Sequence, residues 1–172
     1  MMADEFLAIA PDGKRYELID GEFIVHATPP VRHQSVLVNI LSPLSMYCRD
    51  HDAETFLGPL DVHLSDDSVV EPDGFVVCRE RMSIVGDDYI HGVPNIIIEI
   101  LSDETRRRDE VDKRDLYERV GVDEYWIVDP DHDIVTIYRR RGASFAPVET
   151  GGTITSPLLP RFALDINVIF DV

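Results

Sequence analysis

The sequence predicts one α/β or α+β domain built on a mixed central sheet. Three observations carry this. Runs of β-branched and apolar residues alternate with segments of helical period, in the order hairpin, helix, two strands, charged helix, strand hairpin. The run Ile96-Ile97-Ile98-Glu99-Ile100-Leu101 is apolar on both faces, as in a central strand covered by helices on both sides. With 172 residues, 44% of them apolar and 28% charged, the chain suits a single globular domain spanning residues 1–172, long enough for a genuine core.

Taken in order, Tyr16-Glu17-Leu18-Ile19 and Glu22-Phe23-Ile24-Val25 flank Asp20-Gly21, a hairpin signal. Thr28-Pro29-Pro30 breaks the chain. Leu37, Ile40, Leu41, Leu44 and Cys48 then recur at helical spacing and predict a helix over 33–50, with a kink or break at Pro43. His33 falls one turn before Leu37 and reads as a helix-start packing or capping residue rather than a catalyst. Residues 56–64 alternate like a strand, and Ser65-Asp66-Asp67-Ser68 turns the chain into a strand through Asp73. The Glu99 strand follows a loop. Lys113, Leu116, Tyr117 and Val120 form the inward stripe of the charged helix, which Gly121 ends; Asp109 extends that stripe backwards. Residues 125–128 and 134–138 read as a strand hairpin, Arg139-Arg140-Arg141 as a solvated strand end. The apolar tail is expected to pack on the body through Leu158, Leu159, Phe162, Leu164, Ile166, Val168 and Phe170.

Composition excludes several classes. No apolar run approaches the length that spans a bilayer, and the N-terminus has neither a basic region nor a long apolar one, so the chain reads as cytoplasmic. Cys48 and Cys78 lack the spacing of a metal or disulfide framework. The net charge of −17 opposes non-specific affinity for nucleic acid and favours cations.

Against that background Asp73 and Glu99 stand out. Adjacent strands would bring them side by side on an apolar surface, where a carboxylate is costly unless it is paired, hydrogen-bonded or holding a metal. Lys113, aimed inward from the helix that leaves the Glu99 strand, is either a snorkelling stem or part of the same site. Asp61 and Asp129 read as strand-end turn or capping acids.

Tyr16-Glu17-Leu18-Ile19-Asp20-Gly21-Glu22, His33-Gln34, Glu71-Pro72-Asp73, Ile98-Glu99-Ile100-Leu101-Ser102, Asp112-Lys113 with Tyr117, and the run from Gly121 to Pro130 occur here in one order. In that order they resemble the Uma2 (DUF820) family, of the PD-(D/E)XK restriction-endonuclease-like fold, over roughly residues 16–138. The resemblance implies a Mg²⁺ (or Mn²⁺) dependent endonuclease acting on DNA. It implies Asp73 and Glu99 as catalytic metal ligands, with the Ile100 carbonyl as a third. The family pattern wants a lysine where this chain has Leu101, so Lys113 becomes the expected substitute. Glu22 is a candidate further acid, and Arg106, Arg107 and Arg108 the candidate phosphate patch. A homodimer is compatible with cutting both strands of a duplex. The competing expectation is a non-catalytic binding or regulatory module that retains the nuclease fold, favoured by Leu101 and by the net charge.

Overall fold

The computed structural model describes residues 1–9, 14–26 and 28–172. Its centre is a six-stranded mixed sheet of order β10-β9-β8-β7-β6-β3. These strands are β3 (Ala53–Leu57), β6 (Gly74–Cys78), β7 (Ile96–Ile100), β8 (Glu124–Asp129), β9 (Ile134–Arg141) and β10 (Ser144–Val148). β7 and β8 run parallel; every other neighbouring pair is antiparallel. A four-stranded antiparallel sheet, β2-β1-β5-β4, comprises β1 (Arg15–Ile19), β2 (Glu22–His26), β4 (Val62–Ser65) and β5 (Ser68–Val70). Asp20 and Gly21, with φ of 50° and 79°, close its first hairpin, the conformation for which the Asp-Gly pair is suited.

Side-chain alternation divides the core between the two faces of the large sheet. Val76, Ile96, Ile98, Ile100, Trp126 and Val128 face α2 (Val31–Arg49) and the C-terminal β11 (Thr153–Ser156), β12 (Leu159–Asp165) and α4 (Ile166–Phe170). Phe75, Val77, Ile97, Leu101, Tyr125 and Ile127 face the small sheet and α3 (Arg114–Val120). Glu99 shares the parity of Ile97 and Leu101, and Asp73 that of Phe75 and Val77. Both carboxylates therefore belong to the second face. The short N-terminal α1 (Ala3–Leu7) packs its Ala3 and Phe6 against Leu18 and Val69 of the small sheet.

Several expectations are corrected. α2 passes Pro43 unbroken, its buried stripe running from His33 to Cys48. The 56–64 run is two strands in different sheets: Pro59 offers no N–H to a ladder, and Gly58 lies so close to Pro72 that a Cβ there would meet the Pro72 carbonyl oxygen at 2.3 Å. The strand through Asp73 also divides, into β5 and β6, so Asp73 sits at the junction of the two sheets. Arg139 and Arg140 are not merely solvated. Arg139 pairs with buried Glu124, and Arg140 donates to the carbonyls of Glu118 in the last turn of α3 and of Val122 just beyond it. In the tail Ile169 is buried while Val168 points outward.

Candidate active site

The register of β6 on β7, Gly74 opposite Ile98, sets Asp73 across from Glu99 where β6 begins and β7 ends. Both are buried, at 7% and 3% exposure. The Asp73 N–H points to Glu99 Oε2 at 3.4 Å, and the Ile100 N–H donates to Asp73 Oδ2 at 2.9 Å. The side chains are thus locked to each other's strand. A cavity of about 260 Å³ opens over them, lined also by Arg15, His33, Ile100, Asp109 and Lys113.

Lys113 arrives from the next helical segment. Residues Arg108–Lys113 form a π-helical turn that leads directly into α3. Asp109 and Lys113, four residues apart, are both buried on its inward side. The Gly121 cap, at φ 101°, closes α3 with its N–H on Tyr117. Lys113 is 2% exposed, and Nζ lies 2.7 Å from Glu17 Oε1, 2.8 Å from Glu99 Oε1 and 3.8 Å from Asp109 Oδ1. Tyr117 donates to the same Glu99 oxygen at 2.9 Å.

One lysine cannot neutralise three buried acids, and the proton balance divides them. Burial pushes Glu99 up to about 8; Lys113 opposes this, but Asp109, Asp73 and Glu17 add to it. Asp109 rises to about 6, again through burial, against the pull of Lys113. Glu17 goes the other way: burial alone would raise it, but Lys113 and His26 hold it down at about 2. The difference lies in its partners, since Glu17 also accepts His26 Nε2 at 2.6 Å and the Glu71 N–H at 2.9 Å. Lys113, although burial works against its charge, is held well above the ordinary lysine value by Glu17 and Glu99. The lysine is a fixed cation here.

The sequence candidates separate in space. Asp73, Glu99, Ile100 and Lys113 come together around one cavity. Glu22 does not join them: it begins β2 as an exposed residue, paired in register with Ile19. The acid that the hairpin does contribute is Glu17, fully buried. It was legible by the same signal as Glu99, an acid alternating with apolar residues in a strand. Arg106 is committed elsewhere, donating to Asp129 through both terminal nitrogens at 2.6 and 3.1 Å, and Arg107 is exposed beside Asp112. His33 is no helix cap. Its Nε2 lies 3.1 Å from Asp73 Oδ2, while its buried Nδ1 has no hydrogen-bond partner among the described residues.

A divalent cation fits this donor set by chemistry. Among the described residues Asp73 Oδ1 makes no closer polar contact than Arg15 at 3.8 Å, and Glu99 Oε2 accepts only the long Asp73 N–H bond, so each carboxylate keeps an oxygen lightly engaged. Among the described residues no group of three or more His, Cys, Asp or Glu side chains is arranged to enclose a metal. Mg²⁺ does not require one, because it takes one or two carboxylates and completes its shell with water and phosphate oxygens.

The model of the family described as "Uma2: Putative restriction endonuclease" matches residues 3–167. The chain belongs to the Uma2 family. Its structure resembles that of "a putative nuclease belonging to DUF820" from Anabaena variabilis, with a TM-score of 0.82 and 22% identity over 99% of this chain and 97% of the other. At that identity the likeness is one of fold. No curated protein matches the sequence. Among the described residues no helix is long and apolar enough to cross a membrane.

Proposed function

We propose that this Uma2 chain is a Mg²⁺-dependent endonuclease that hydrolyses phosphodiester bonds in DNA, with Asp73, Glu99 and Lys113 as its catalytic residues. The observation that carries the reading is the opposition of Asp73 and Glu99 across β6 and β7, with Lys113 bonded to Glu99 from the following helix. In this reading Asp73, Glu99 and the Ile100 carbonyl hold the cation. When bound, the cation would polarise the phosphoryl group and lower the pKa of an attacking water.

The residues divide the remaining work. Lys113 keeps its proton on Nζ and so acts as an electrostatic stabiliser of the charge that develops on phosphorus oxygens, not as a base. Glu17 would keep that ammonium in place with Glu99 engaged by a cation, because its own bonds to Lys113, His26 and the Glu71 N–H do not depend on Glu99. Tyr117 and the Ile100 N–H orient the two carboxylates. In the reaction the water oxygen bonds to phosphorus as one P–O ester bond breaks. The water gives up a proton, the departing alkoxide takes one, and the products are a phosphomonoester and an alcohol.

Calorimetric titration of Mn²⁺ and Mg²⁺ tests this. Wild type should bind, and Asp73→Asn and Glu99→Gln should lose binding while keeping their thermal transitions. Wild-type protein that binds neither ion, with or without DNA present, refutes the enzyme and favours a non-catalytic module.

A further inference from the structure

A phosphodiester is an anion, and Asp73, Glu99, Asp109 and Glu71 all line the cavity it must enter. A cation with a donor to spare is required. Lys113 is held by Glu17, Glu99 and Asp109 at 2% exposure, so it keeps no donor to spare and acts on the phosphate charge through space from the cavity wall. His26 is tied through Nε2 to Glu17, and His33 to Asp73. The arginines 106 and 107, placed near the site by sequence, are paired with acids and do not line the cavity.

Arg15 differs from all of these. At the start of β1, its Nε donates to Glu71 Oε2 at 3.0 Å and its Nη2 to the Glu71 carbonyl at 2.9 Å. Two bonds to one residue fix the plane of the guanidinium. Nη1 is left over among the described residues, where its nearest anion is Asp73 Oδ1 at 3.8 Å, beyond hydrogen-bond reach. The side chain is 23% exposed, so a ligand can reach it. Glu71 therefore aims a planar cation at the very carboxylate that would hold the metal. We propose that Arg15 is the phosphate-binding residue of this site, donating through Nη1 to a non-bridging oxygen of the phosphodiester. The assignment rests on the nuclease reading and supplies what that reading lacked, a substrate contact in an acidic cavity.

The test measures two ligands on the same variants. A labelled short DNA oligonucleotide, single-stranded and as duplex, is titrated by fluorescence anisotropy with Ca²⁺ in place of Mg²⁺, at several salt concentrations. Mn²⁺ is titrated by calorimetry. Arg15→Gln should weaken the oligonucleotide about 10- to 100-fold, the value of a charged hydrogen bond, and reduce the salt slope by about one. Its Mn²⁺ affinity should hold or improve, because a positive charge has left the neighbourhood of Asp73. Arg15→Lys should recover part of the oligonucleotide affinity. Two results overturn the assignment alone, in a wild type that binds both ligands. One is an Arg15→Gln variant that binds the oligonucleotide as wild type does. The other is a variant that loses Mn²⁺ affinity and thermal stability together with the oligonucleotide, which would make Arg15 a staple between the hairpin and Glu71. Wild type that holds neither Mn²⁺ nor oligonucleotide overturns the nuclease reading and this assignment with it.

Discussion

Replacing Lys113 with methionine should destabilise the protein in a way that depends on pH. The substitution keeps length and apolar bulk but removes the one charge shared by Glu17, Glu99 and Asp109. Left unpaired and buried, the acids will take up protons instead of remaining charged. That exchange bounds the loss. Glu17 is the acid most firmly ionised in the wild type, and its ordinary value is 4.5. Protonating it at about pH 7 costs about 3.4 kcal/mol, at about 1.4 kcal/mol per pH unit. Glu99 and Asp109, already displaced upward, add less. A total of roughly 3–5 kcal/mol matches what breaking a buried ion pair costs. At about pH 5 the same protonation costs only about 0.7 kcal/mol, so most of the loss should vanish. Urea unfolding of both proteins at the two pH values reads this directly: with a slope of about 2 kcal/mol per molar, the midpoint should fall by roughly 1.5–2.5 M at the higher pH. An equal loss at both pH values, or none at neutral pH, would refute the shared-lysine account.

Three further outcomes follow from the same geometry. Glu99 has its folded-state value raised from 4.5 to about 8, so the folded protein holds a proton there that the unfolded chain releases; metal-free stability should fall as pH rises between those values, and Glu99→Gln should flatten the slope in chelator-treated protein followed by thermal unfolding. Arg106→Ala should lower the melting temperature, because Asp129 loses its double hydrogen bond, yet leave oligonucleotide affinity within twofold, about the error of such titrations; a large affinity loss would return Arg106 to the substrate path. Glu124→Ala should cost about 2–5 kcal/mol by chemical denaturation, since the buried carboxylate accepts both Trp126 Nε1 at 2.9 Å and Arg139 Nε at 2.6 Å, and loss under about 1 kcal/mol would show that water replaces it.

Local pattern was enough to find much of this molecule. The Asp20-Gly21 hairpin, the apolar stripe of α2, the unbroken β-branched run of β7 and the glycine-capped helix carrying Lys113 are each written in neighbouring residues, because periodicity and turn chemistry act over a few positions. The acids on β7 and before β6 were visible for the same reason: each interrupts an apolar strand. What the sequence by itself determined is therefore most of the order of elements and the inward direction of Asp73, Glu99 and Lys113. Only the tertiary structure decided which of those residues meet. Glu17 and Lys113 are separated by 96 positions, and no local pattern says that one lysine serves the hairpin acid, the strand acid and Asp109 together. The same holds for Arg106, whose charge could have met a phosphate but meets Asp129, and for Arg15, whose orientation depends on Glu71 just past the neighbouring strand β5. Charge pairing depends on distance in space, and the packing of the small sheet on the large one sets those distances.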